Sequence, residues 1–374
     1  MMTNPQSPMT LTATYQPHRL RFRFAAGTSR GILHHHQVYY LQLATTQNPD
    51  CVGVGEVAPL LGLSPDARPD LETAIQDLCQ RLRGINAPKS IDEVYVLAKE
   101  LVNNDWPALR FGLEVALLDW LNGGQRLIFD TPFAQGKEGL LTNGLVWMNT
   151  LPEMYQQAQD KIALGFECVK MKIGALDFEQ ECGLLAALRQ THSPDRLTLR
   201  VDANGAFSPQ EAEAKLQRLA QYQLHSIEQP IMAGQLADMA RLCRTSPVPI
   251  ALDEELIVHR TTEAKQNLLM QVQPAFIILK PTLVGGLAQT AEWIQLAQAQ
   301  NIGWWITSAL ESNIGLNAIA QFCATYQPTL PQGLGTGGLY HNNLEAPLSL
   351  QNQHLYYNPN KEWQNLTQLV SYSN

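Results

Sequence analysis

Charge is scarce in this chain: Asp, Glu, Lys and Arg make up 16% of its 374 residues, against ~25% in an average domain. The balance leans acidic, with 34 acidic and 26 basic residues and a net charge of −8. That leaves no broad basic face for a phosphate backbone, so nucleic acid is not an expected partner. No apolar run approaches the ~18–20 residues of a membrane span. The opening stretch, MMTNPQSPMTLTATYQ, lacks a basic segment followed by an apolar one. A cytoplasmic protein with no membrane partner is expected. The six cysteines, at 51, 79, 168, 182, 243 and 323, form no CxxC pair and no zinc-finger spacing, which fits free thiols packed as small apolar groups. Neither a GxSxG elbow nor a GxxxxGK[ST] loop occurs. GLGTGG, at 333–338, is followed by no strand–turn–helix unit that would make it a dinucleotide loop. A barrel strand end needing close backbone approach accounts for it better. The triplet His34-His35-His36 invites a metal, but adjacent strand residues face opposite ways and cannot converge on one ion. A solvated strand is expected there.

Apolar residues are plentiful, at 45%, enough for a sizeable core in two domains or in one large α/β barrel with a smaller unit. Residues 10–58 read as an antiparallel meander of three strands. In the first, Leu20, Phe22 and Phe24 alternate with Arg21 and Arg23. From about 65 to 122 the pattern is helical, and Pro107 is placed to open a helix at its first turn. From about 142, short apolar strands alternate with amphipathic helices. Seven or eight such units in about 200 residues imply a parallel (β/α) barrel, with 333–338 as its closing piece.

Charged groups recur at the ends of these strands. Lys170 and Lys172 end one, Asp202 and Asn204 the next, then Glu228, then Asp253 and Glu254, then Lys280; Ser308 and Glu311 follow the last. From Lys172 the steps are 30, 26, 25, 27 and 28 residues, ending at Ser308, about the length of one βα unit. The register places all of them at one end of consecutive strands, the end where barrel active sites are built. Asp202, Glu228 and Asp253 would repel one another if buried alone. A hard divalent cation removes that problem, and all-oxygen ligation suits Mg²⁺, with Mn²⁺ as a substitute. Lys170 and Lys172 share a face, and a lysine beside another cation and a metal has its pKa lowered. Lys280, four strands away, faces the site from the other side. Such a set fits removal of a proton α to a carboxylate.

VKMKIG, RVDANGAF, SIEQP and ALDEE, in that order and followed by LKPTLVGGL and SALESNIGL, resemble the enolase superfamily over nearly the whole chain. They resemble the branch with a lysine on each side of the site. The resemblance implies a modified (β/α)7β barrel over 136–338, an α+β capping domain over 1–135, and a tail, 339–374, returning to the cap. It implies Mg²⁺ on Asp202, Glu228 and Asp253, Lys172 as general base and then acid, and Lys280 as an enolate-stabilising cation. Lys170 would tune Lys172 and neutralise the substrate carboxylate. Asn204, Ser308 and Glu311 would line or support the pocket, and Arg200 would orient the site or pair structurally. Loops at Thr28-Ser29-Arg30 and Ala58–Leu61 would close over the site. The last two motifs are most like the o-succinylbenzoate synthase family, lyases that dehydrate a hydroxycyclohexadiene carboxylate in menaquinone and phylloquinone biosynthesis. Racemases of N-acylated amino acids and dipeptide epimerases share the scaffold and both lysines. The partner is a small carboxylate in either case, and no oligomeric state is implied.

Overall fold

Alternating burial builds the N-terminal sheet. The computed structural model describes residues 9–28 and 31–369. β1 (Leu11–Thr28), β2 (Gly31–Thr45) and β3 (Asn48–Val57) pair antiparallel in that order. Pro17 is tolerated because β1 is an edge strand, where a missing N–H is least costly. Leu20 and Phe22 turn inward as expected, but Phe24 is 42% exposed. A register shift between Arg21 and Ala26 breaks the alternation, and Phe24 instead meets Trp147 edge-on, 5.6 Å between ring centroids. Of the three histidines, His34 and His35 are exposed and His36 is buried. The solvated-strand expectation therefore fails at His36. The Ser29-Arg30 part of the first expected loop lies outside the described residues.

Three helices follow: α1 (Leu71–Leu82) and α3 (Pro107–Leu121) pack on the sheet, and α2 (Ile91–Leu101) packs on α3. Pro107 does open α3. The preceding residue, Trp106, has no capping oxygen, so Asp66 supplies one, accepting from the N–H groups of Ala108 (2.7 Å) and Leu109 (3.2 Å). α3 is apolar on nearly every side and lies against β3. The approach requires Gly55, since a Cβ there would lie 1.9 Å from the Gly112 carbonyl oxygen.

The barrel follows. After β4 (Leu140–Leu141), the strands β5 (Gly144–Val146), β6 (Cys168–Lys172), β7 (Thr198–Asp202), β8 (Ser226–Glu228), β9 (Ile250–Leu252), β10 (Phe276–Leu279) and β11 (Gly303–Ile306) form one parallel sheet in sequence order. Between them lie α4 (Leu151–Ala163), α5 (Phe178–Thr191), α6 (Pro209–Leu219), α7 (Leu236–Thr245), α8 (Thr262–Val272), the short α9 (Pro281–Val284) and α10 (Leu287–Ala299), and α11 (Asn313–Ala324) follows β11. Residues 332–333 join the two sheet edges. The Gly333 N–H donates to the Ile306 carbonyl (2.8 Å), and the Asn143 N–H donates to the Gln332 carbonyl (2.8 Å). Gly333 is required here, because a Cβ would lie 2.1 Å from Thr307 Oγ1. The result is a curled seven-stranded parallel sheet closed by a two-residue bridge. Beyond it the chain returns along β1, where Arg23 N–H donates to Leu339 O and His341 N–H to Arg21 O, both 2.9 Å. A hairpin of β12 (Leu348–Gln351) and β13 (His354–Tyr357) then pairs with β4.

Two buried carboxylates tie the N-terminal layer to barrel helices. Glu56 accepts from the Ser312 N–H (2.8 Å), the Ser312 hydroxyl (2.6 Å) and the Gly315 N–H (2.8 Å) at the start of α11. Glu114 accepts from the N–H groups of Leu287 and Ala288 at the start of α10. Burial pushes Glu56 up to about 7 and Glu114 up to about 8, against the pull of these donors. A raised carboxyl pKa means that the folded state holds protons the unfolded chain has released. Its contribution is full below the unfolded value of ~4.5 and is lost as pH rises through 7 to 8. Thermal stability should therefore fall between about pH 5 and pH 8, by up to ~1.4 kcal/mol per pH unit per group. Melting curves across that range check it: the slope should be shallower in Glu114→Gln, and an unchanged slope would contradict the assignment.

Candidate active site

The strand register brings the charged groups together. Lys172 pairs with Asp202 across β6 and β7, and Asp202 pairs with Glu228 across β7 and β8. Asp253 follows β9 and Lys280 follows β10. Lys172 Nζ lies 2.6 Å from Asp202 Oδ2 and 2.6 Å from Asn204 Oδ1. Lys170 Nζ bridges Asp202 Oδ2, at 2.9 Å, and Glu228 Oε2. On the far side Lys280 Nζ bonds Asp253 Oδ2 and stands 3.9 Å from Glu228 Oε1. Local turns hold these groups. Asn204 takes a left-handed φ of 45°, and its N–H returns to Asp202 Oδ1 (3.0 Å). Gln229 Oε1 accepts the Asp253 N–H (3.1 Å).

The electrostatics follow from burial and alternation of sign. Burial raises the Asp202 pKa, but Lys170, Lys172 and Lys280 outweigh it and hold the group well below the usual carboxylate range. Burial likewise opposes ionisation of Asp253, and Lys280 prevails, leaving it lowered. Glu228 is pushed up, by burial first and then by Asp202. Burial disfavours the ammonium of Lys170 and of Lys280, yet the adjoining carboxylates win and both pKa values rise.

Among the described residues no three His, Cys, Asp or Glu side chains stand grouped as a metal cage; lysine ammoniums lie between the carboxylates. The donor set still suits a hard divalent cation. Its ligands are oxygens on adjacent strand ends, and the buried Glu228 Oε1 has no hydrogen-bond partner.

Lys170, Lys172, Lys280, Asn204 and Ser308 line one cavity of about 110 Å³. Its roof and walls are apolar: Leu60, Leu63, Leu145, Trp147, Trp305 and Leu310. Leu60 belongs to the second loop expected over the site. A larger cavity, about 1200 Å³, adjoins it and shares Asn143, Leu145, Trp147, Gly335 and Thr336, but none of the charged strand-end groups lines it. Glu311 stands behind the wall, accepting from Ser308 Oγ (2.6 Å), Thr282 Oγ1 (2.5 Å) and the Ala309 N–H (2.8 Å). Arg200 is buried below. It donates to the Pro331 carbonyl (2.7 Å), and its guanidinium lies 4.0 Å from the Trp305 ring centroid, so it supports a cavity wall and lines no part of the cavity itself. Glu254 was visible in the sequence as a strand-end carboxylate but had no role. It lines the cavity and accepts from Asn204 Nδ2 (2.9 Å), which turns the Asn204 oxygen toward Lys172. The apolar lining residues carry no sequence signal of their own, since Leu and Trp at strand ends look like core.

The sequence family described as "Enolase C-terminal domain-like" matches residues 153–360. The o-succinylbenzoate synthase of Desulfotalea psychrophila is 45% identical over 358 residues, covering 90% of this chain and 96% of that protein. That of Vibrio cholerae is 30% identical, covering 78% and 80%. The crystal structure of MenC from Desulfotalea psychrophila LSv54 superposes with a TM-score of 0.85 at 40% identity, covering 94% of this chain and all of the other. The L-Ala-D/L-Glu epimerase from Bacillus subtilis has the same fold, TM-score 0.81, at 19% identity. With motifs, fold and strand-end charges in agreement, the chain belongs to the enolase superfamily.

Proposed function

We propose that this chain removes water from 2-succinyl-6-hydroxy-2,4-cyclohexadiene-1-carboxylate to give 2-succinylbenzoate. It is a carbon–oxygen lyase, an o-succinylbenzoate synthase. The observation that carries this reading is the 45% identity to such a synthase over 96% of that protein's length. The match takes in both the charged strand ends and most of the layer that roofs them.

Asp202, Glu228 and Asp253 would hold Mg²⁺, with Mn²⁺ as a substitute. When bound, the cation supplies fixed positive charge that acidifies the proton α to the substrate carboxylate. Lys172, in its neutral form, takes that proton from ring carbon 1. Asn204, turned by Glu254, orients the Lys172 nitrogen. The ammonium of Lys280 faces the negative charge that develops on the carboxylate oxygens. Lys170 neutralises the carboxylate cluster behind the base. The protonated Lys172 then gives its proton to the hydroxyl on ring carbon 6, on the same face. The C–O bond breaks, its electron pair leaves with oxygen as water, and the former C–H pair becomes the last double bond of the aromatic ring. Lysine returns to its starting state. We assign the chemistry to residues 136–338 and the roof to 1–135, with 339–374 bracing the two. The product's place in menaquinone or phylloquinone biosynthesis belongs to this same reading, as does a cytoplasmic location; among the described residues no helix is long and apolar enough to cross a membrane.

Purified protein with Mg²⁺ and the cyclohexadiene carboxylate should form the aromatic product with kcat/KM above ~10⁴ M⁻¹ s⁻¹. Absence of product, with two-sided deuterium exchange on an N-succinylamino acid or a dipeptide instead, would replace this reading with a racemase or epimerase.

A further inference from the structure

The proposed chemistry leaves the third histidine of the triplet without a task. His36 is 4% exposed. Its strand neighbours Val38 and Tyr40, and its register partner Leu20, belong to an apolar cluster that also contains Leu310 and Tyr340. Its two ring nitrogens face main-chain carbonyls: Nδ1 is 3.0 Å from Leu310 O, and Nε2 is 3.3 Å from Pro59 O. Those carbonyls belong to the two loops whose Leu60 and Leu310 side chains line the reaction cavity. Tyr340, on the returning tail, donates its hydroxyl to the same Leu310 oxygen at 2.6 Å.

Leu310 needs such support. Its φ is +69°, a left-handed conformation that residues with a Cβ avoid. Its N–H is taken by Ser308 Oγ at 3.0 Å; among the described residues the carbonyl is held from the N-terminal layer by His36 and from the tail by Tyr340. Burial lowers the His36 pKa against the pull of the Leu310 and Pro59 carbonyls; a neutral ring carries one N–H. In either tautomer it bonds one of the two carbonyls, while Tyr340 bonds Leu310 in both.

We infer that His36 and Tyr340 are positioning residues that fix the apolar roof of the reaction cavity, joining the Pro59-Leu60 turn to Leu310 and so setting how the substrate ring is seated. The inference rests on the dehydratase reading of that cavity. A purely structural pair would lower stability and leave KM alone. A pair that sets the roof should act on substrate seating before it acts on the base.

The test uses Tyr340→Phe, which removes one oxygen, together with His36→Phe and His36→Gln. Two readouts are taken: hydrogen exchange of the substrate-free protein over residues 60–64 and 308–312, and steady-state kinetics with the cyclohexadiene carboxylate. In Tyr340→Phe, exchange over 308–312 should quicken about tenfold, with the barrel strands unchanged. KM should rise roughly tenfold while kcat falls less than about threefold. His36→Phe should do the same over 60–64, and His36→Gln, which keeps a donor, should recover part of the KM. If His36→Phe does not fold, Tyr340→Phe carries the test. Unchanged exchange in Tyr340→Phe overturns the proposal. So does quickened exchange with an unchanged KM. An unmodified protein inactive on this substrate would overturn the dehydratase reading instead, and the tie would then be judged by exchange alone.

Discussion

Lys172→Arg should be inactive, and Lys280→Arg should keep part of the dehydratase activity. The two lysines lie on opposite sides of the carboxylate row, one bonded to Asp202 and Asn204, the other to Asp253. In a dehydration whose proton and hydroxyl leave from one face, a single group does the proton transfers. Arginine stays protonated near neutral pH and cannot be that group. Loss of a general base costs ~10²–10⁴ in rate, and here the same nitrogen also serves as the acid, so the two losses compound. At position 280 the need is for charge. An electrostatic contact made mainly in the transition state is worth roughly 3 kcal/mol or more, about a hundredfold in rate. Lys280→Ala should lose that amount, and Lys280→Arg should regain some of it, limited by the fit of a planar guanidinium against Asp253. The measurement is kcat of the three variants on the cyclohexadiene carboxylate, with deuterium exchange on an N-succinylamino acid as control. A racemase needs a proton carrier on each face. Equal loss in both Arg variants, with two-sided exchange by the unmodified protein, would favour that reading.

The charged half of the site was legible in the sequence because its spacing equals the length of a βα unit, and any residue at that period must emerge at the same strand end. The apolar half was not. Leu60 was reached only through the resemblance, within the Ala58–Leu61 loop; Leu310, Trp147 and Trp305 also line the cavity, but nothing distinguishes such a side chain over a substrate from one in a core until the loops are placed. The same limit governs His36. Alternation shows that it faces opposite to His35; it does not show that Pro59 and Leu310 lie over that face. Phe24 fails for a different reason, since the shift between Arg21 and Ala26 changes the strand's phase and has no plain mark in the sequence. The closing bridge was legible because Gly333 is needed where the two sheet edges meet.

Chelation should abolish turnover, and Glu228→Gln or Asp253→Asn should prevent its restoration by Mg²⁺. The three carboxylates lie within a mesh of ammonium groups: Lys170 spans Asp202 and Glu228, and Lys280 bonds Asp253. Each of the three carboxylates has an ammonium partner without a metal, so the protein should remain folded when chelated. That separates loss of metal from loss of fold. A divalent cation must then compete with the ammonium groups for the same oxygens, and Glu228 Oε1, buried and lacking a hydrogen-bond partner, is an oxygen it can take without displacing one. Binding to the folded state alone adds RT ln(1 + [L]/Kd), ~2.7 kcal/mol at a hundred times Kd. Added Mg²⁺ should therefore raise the melting temperature of chelated protein by a few degrees and restore turnover. In Glu228→Gln the carboxylate count falls by one, Lys170 keeps only Asp202 as an acidic partner, and both responses should vanish, with kcat down by ~10³ or more. The two measurements are a melting curve and a rate, each with and without Mg²⁺ after chelation. Full activity of chelated protein, or a normal Mg²⁺ shift in both Glu228→Gln and Asp253→Asn, would remove these residues from the ligand set.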